Sequence, residues 1–200
     1  MSAALADLQD AASVLQAGEG AGGEESVWLE NMAVLAESVP EAGAERDQFL
    51  DLLALAILQH PSPAVRCGAL RVMAQLGTDD RIAALLRAGL DDSHESVRTT
   101  AAEHGISAGG IELLPDYAQL LLRNGSPRER LAALQAMAEV SDRLEPGSEA
   151  LRAVFDCIRD PDPGVSFHAR RILARRIGLP EENPGSVDFW LVWWQREGLQ

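Results

Sequence analysis

Few residues in this 200-residue chain have the chemistry of an active site, and their spacing does not assemble one. The four histidines, His60, His94, His104 and His168, are dispersed. Zinc takes three or four closely placed ligands. His60 and His94 read as equivalent turn positions, and so as neighbours, but no third ligand accompanies them. Cys67 and Cys157 stand 90 residues apart, which is neither a disulfide framework nor a zinc pattern. No glycine-rich phosphate loop, nucleophile elbow or His-Glu metalloprotease signature is written in the chain. The expectation is a non-enzyme with no catalytic residue, no metal and no cofactor.

Arginines and tryptophans remain as candidate binding residues. Arg66, Arg98 and Arg130 recur every 32 residues. They read as an ion-pair or hydrogen-bond ladder to turn acids or carbonyls of adjacent repeats, or as a row that grips an acidic partner. Exposed ion pairs are worth only about 0–1 kcal/mol, so a structural role needs burial and several bonds per guanidinium. A basic run, Arg170, Arg171, Arg175 and Arg176, lies near Arg159. Arg171 and Arg175 are i, i+4 and share a helix face. It is either a solvated face or an anion site. Phe189, Trp190, Trp193 and Trp194 crowd four of the nine aromatic residues into six positions. On a helix the three tryptophans share a face, as an end cap or as a docking patch, since Trp is enriched in interface hot spots. Trp28 stands alone and is expected to pack on the first helix pair. Glu181-Glu182 read as an exposed helix start.

The charge bounds the partners. The formal net charge is −14, and all seventeen basic residues are Arg. Residues 1–60 hold eleven acids against Arg46 alone. Such a chain repels phosphate backbones, so a nucleic-acid partner is not expected. No apolar run approaches the roughly 18 residues of a membrane span. The N-terminus lacks the basic residues of a signal peptide. A reducing, bacterial cytoplasmic setting is expected.

The elements that position these residues are helices. Apolar spacing predicts helices over 2–17 and 25–38, the first running into a glycine-rich break. Paired helices follow: 45–59 with 63–76, 79–89 with 94–106, 112–123 with 127–141, and 147–158 with 162–176. A last helix covers 187–196. Short turns rich in Asp, Ser and Pro join each pair, with Asp or Ser placed to cap the second helix. Ala69, Ala101 and Ala133, and Ala169 in a looser fourth copy, are small so that neighbouring helices can approach. A period in this range marks stacked repeats.

The pattern of an Asp/Pro turn, then Val-Arg, then Ala three residues on, resembles the HEAT repeat, particularly the short bacterial type also found in phycobilin lyases. The resemblance covers about residues 45–178. Leu113-Leu114-Pro115-Asp116-Tyr117 is similar to the first helix of such a repeat, where a proline bends the chain. In that family the arginine positions are structural, and the second helices line a concave face. Two copies depart from the pattern: Ser166 replaces Arg, and Glu129 replaces Val. The resemblance implies an all-α, right-handed α-solenoid of about four HEAT-like helical pairs with capping helices. DNA glycosylases built on such repeats carry a basic groove, which this acidic chain does not suggest.

Residues 1–24 are expected to form an N-terminal helix and flexible linker, and 25–200 the solenoid with its Trp-rich cap. The expected function is an adaptor, scaffold or inhibitor. It would bind a protein partner through the concave face and the tryptophan cluster. The acidic N-terminal third suits a basic partner, and the uneven charge leaves self-association open. The alternatives are a phycobilin-lyase-like chaperone and an immunity protein against a basic toxin.

Overall fold

A computed structural model describes residues 22–40, 42–77 and 79–197. The helix expected over 2–17 and most of the glycine-rich segment lie outside these. Gly22, Gly23 and Glu24 belong to a helix rather than to a linker. The described residues form helices and connecting turns, with no strand among them. This is the all-α class expected for an α-solenoid. The chain divides at Gly110 into two compact units.

The first unit holds α1 (Gly22–Ser38), α2 (Ala44–Gln59), α3 (Pro63–Ala74), α4 (Asp80–Leu90) and α5 (Glu95–Gly109). Helices α1, α3 and α5 pack in one row, while α2 and α4 pack on each other and on their partners. Small residues set the spacing. Ala69 and Ala101 have no exposed surface. A Cβ on Gly89 would come to 3.0 Å of the Ala101 methyl and 3.1 Å of Leu70, inside the roughly 3.5–4.0 Å optimum for packed carbons. Trp28 is buried on α1, which packs against α3.

The second unit begins with a composite helix, α6, over residues 111–122. A 3-10 turn (Ile111–Leu113), an α turn (Leu114–Asp116) and a π segment (Tyr117–Leu122) make up the helix expected over 112–123 with a proline bend. Pro115 has no N–H to give to the ladder, and the wide π turns follow directly. The last turn is closed from outside: Asn124 donates to the Gln119 carbonyl at 2.5 Å and Gly125 N–H to that of Leu121 at 2.8 Å. Then come α7 (Pro127–Ala138), a 3-10 turn (Ser141–Arg143), α8 (Glu149–Asp156) with its 3-10 end (Cys157–Arg159), α9 (Pro163–Arg176) and α10 (Val187–Glu197). The row pattern recurs, with α7 on α9 and α6 on α8. Ala133 and Ala169 are again fully buried.

Helix ends follow the turn chemistry. Asp162 caps α9 by accepting from the N–H groups of Gly164 and Val165. Ser126 caps α7 and closes a reciprocal capping box with Glu129. The Ser62 hydroxyl makes no cap bond to α3. On α5 the cap falls on His94, not Ser93: its carbonyl accepts from Val97 and Arg98, and its Nδ1 from Ser96 N–H. Helix α9 ends in a Schellman motif, with Gly178 at φ 74 and Leu179 N–H on the Ala174 carbonyl.

Candidate protein-binding surface

The repeated arginines are absorbed by the turns. Arg66 is only 9% exposed. Its Nη1 donates to the carbonyls of His60 and Pro61, at 2.8 and 3.0 Å. Its Nε and Nη2 hold both oxygens of Asp92, each at 2.8 Å. Arg98 donates to the Asp92 carbonyl at 2.7 Å. Arg130 donates to the Gly125 carbonyl at 2.6 Å and places Nε and Nη2 at 2.7 and 3.0 Å from Asp160. The Nε contact is close without being aligned as a hydrogen bond. Each arginine thus pins the turn before its own helix. In the first and third copies it also grips an aspartate 26 or 30 residues on.

Asp92 and Asp160 do the same double duty. Each accepts the N–H two residues ahead, His94 at 2.7 Å and Asp162 at 2.9 Å, which closes an Asx turn. Burial pushes the Asp92 carboxyl up. The hydrogen bonds from Arg66 and His94 N–H and the nearby positive charge outweigh that and hold it below the usual carboxylate range. Where Arg is replaced, Ser166 donates to the Ile158 carbonyl at 2.7 Å. The hydroxyl ties α9 to the 3-10 end of α8, two residues before the turn that the arginines meet in the other copies.

This register corrects one reading of the sequence. Arg66 reaches the His60 carbonyl and Arg98 the Asp92 carbonyl, both six residues back. His60 therefore corresponds to Asp92, and His94 to Ser62, so the two histidines are not equivalent. Among the described residues no group of His, Cys, Asp and Glu is placed to hold a metal ion. Cys67 and Cys157 are free and buried. Burial, aided by Asp160, pushes the Cys157 thiol up to about 12, which keeps it protonated and unreactive. Glu129, a departure from the repeat, has its carboxylate on Ser126 N–H at 2.6 Å and is 1% exposed.

The tryptophans separate by role. Trp190 is fully buried and donates from Nε1 to the Pro184 carbonyl at 2.5 Å. Trp194 stacks on Phe155 of α8 with centroids 4.1 Å apart. Trp193 sits edge-on to Trp190 at 5.4 Å and is half-buried. Trp194 thus packs α10 onto α8, while Trp190 ties α10 to the loop before it. Phe189 and Val192 point outward, 42% and 48% exposed.

Arg171 and Arg175 lie off the ladder. Counting from the ladder position, Arg71, Glu103, Gln135 and Arg171 are equivalent, as are Gln75, Ser107, Glu139 and Arg175. All are exposed except Arg171, which is half-buried. Arg171 bonds Glu181 at 2.8 Å, and Arg175 reaches the same carboxylate at 3.5 Å. Glu181 and Glu182 lie in the loop after Gly178, not at the start of α10 as the sequence suggested. Phe167, Arg171, Leu179, Pro180, Glu181 and Glu182 line an open groove of about 640 Å³. His168, edge-on to Phe167, is held below its usual range by burial and then by Arg171.

Residues 33–104, from the second half of α1 into α5, match the family model of HEAT repeats. The matched span contains Arg66 and Asp92. No curated protein matches the chain.

Proposed function

We propose that this protein is a non-enzymatic interaction module, an adaptor, scaffold or inhibitor that holds a protein partner on the outward faces of its second helices. HEAT repeats in general are protein-interaction modules, and the match over residues 33–104 supports the reading. One observation carries it. The side chains that repeat are spent on packing and on the turn ladder, while the outward positions of α3, α5, α7 and α9 differ from copy to copy. Stacked repeats of this kind use a shared frame to present an extended binding surface.

The charge supports a basic contact on the partner. Residues 1–109 hold seventeen acids and six arginines, a formal −11, against −3 for residues 110–200. The bacterial, cytosolic setting expected from the sequence belongs to the same proposal, as does the exposed aromatic edge of α10. The test is affinity capture with mass spectrometry from native cells. It compares wild type with a variant reversed at outward positions, Arg71→Glu with Gln135→Arg, which leaves the ladder intact. A stoichiometric partner lost only from the folded variant is the expected result. A partner retained equally by both, or none captured, contradicts the reading.

A further inference from the structure

Helix α9 is an oddity in an acidic chain. It carries Arg170, Arg171, Arg175 and Arg176 and no acidic residue from Pro163 to Arg176. Two of the four are committed to the backbone: Arg170 to the carbonyls of Ser166 and Gly185, and Arg176 to that of Ser141. Arg171 and Arg175 turn outward and converge on one carboxylate, Glu181, with side-chain exposures of 36% and 53%. Arg175 also reaches the Ala138 carbonyl at 3.0 Å. Phe167 lies one turn before Arg171 and is 37% exposed. Its ring centroid is 5.9 Å from the Arg171 guanidinium carbon. The equivalent positions in earlier copies are Cys67 and Thr99, both buried, and Leu131, half-buried. A large aromatic ring appears only in the copy where the position is open to solvent.

We propose that this groove binds an acidic peptide segment of a protein partner, with one Asp or Glu beside an apolar residue, and that Glu181 is a built-in competitor for the carboxylate position. The proposal rests on the interaction-module reading and names the chemistry of the bound segment. Two guanidiniums offer up to ten N–H donors, far more than one carboxylate can accept, so a second carboxylate finds donors. The Arg171–Glu181 pair is exposed, and such pairs are weak, so exchange is easy. Phe167, Leu179 and Pro180 provide the apolar contact beside it. A volume of about 640 Å³ lies in the usual range for ligand pockets and holds two or three residues.

The test is an NMR titration of the full chain with a capped peptide bearing one aspartate next to a leucine. Matched peptides carry asparagine or lysine for the aspartate, or glycine for the leucine. Shift changes centred on residues 167–182 are expected with the first peptide alone. Glu181→Gln should tighten binding about two- to five-fold, the range set by an exposed pair. Arg171→Gln should weaken it about ten-fold, as loss of a charge-assisted bond does, with an unchanged melting curve. No shifts with wild type or Glu181→Gln at millimolar peptide overturns the proposal, as does equal binding of the lysine peptide or preference for a single-stranded oligonucleotide. Capture of a cellular partner that ignores Arg171→Gln leaves the interaction reading standing and removes this groove. Failure of both capture and titration removes both.

Discussion

Arg66 and Arg171 are the same residue type on equivalent second helices, put to opposite uses. Arg66 is buried, makes bonds to two carbonyls and grips both oxygens of an aspartate that is itself fixed by an Asx turn. Arg171 stands one face over, a third exposed, and shares a single loop carboxylate with Arg175. The first arrangement engages four of the five guanidinium donors and cannot be exchanged without leaving a buried charge. The second exchanges freely with an external carboxylate. Residue type does not separate frame from face in this fold. Position relative to the turn does.

Several substitutions would break or sharpen that contrast, beginning with the largest. Trp190→Ala removes the most deeply buried aromatic of α10 and should cost about 4 kcal/mol in urea unfolding. That is a frame effect in the same unit as the α9 groove. Asp92→Ala leaves Arg66 buried without its carboxylate and should cost about 3 kcal/mol. The same pair gives a pH signature. The folded Asp92 carboxyl lies below its usual range, so its stabilisation is complete above the unfolded value, about pH 4. It is lost as pH falls through the lower folded value. Asp92→Asn should flatten that part of the acid limb of a melting-temperature profile. Arg98→Ala loses a charged bond to the Asp92 carbonyl and should cost about 2 kcal/mol. A melting temperature equal to wild type would move Arg98 from frame to face. Ser126→Ala opens the capping box of α7 and should cost about 1 kcal/mol by circular dichroism melting.

The frame was largely legible before any coordinates. The 32-residue spacing, the small residue at Ala69, Ala101, Ala133 and Ala169, and the turn acids led directly to paired helices and an arginine ladder. Glu129 looked like a defect of the repeat. The Ser126-Pro127-Arg128-Glu129 spacing of a capping box was there to be read and explains it. Phe167 was legible in principle as the only large aromatic at its register position. The Glu181 contact was not, because it depends on the path of the chain after Gly178, which brings a residue ten positions on back over α9. The π turns of α6 were likewise hidden. Pro115 marked a bend there, but neighbouring packing decides which helix type takes up the strain.

Arg66 and Arg171 should be of unequal worth to the fold. Urea unfolding of Arg66→Gln and Arg171→Gln, run side by side on the full chain, measures it directly. The expected loss is about 3 kcal/mol for Arg66→Gln and under about 1 kcal/mol for Arg171→Gln. Equal losses, or a larger one for Arg171→Gln, would make both arginines frame and contradict the division of labour.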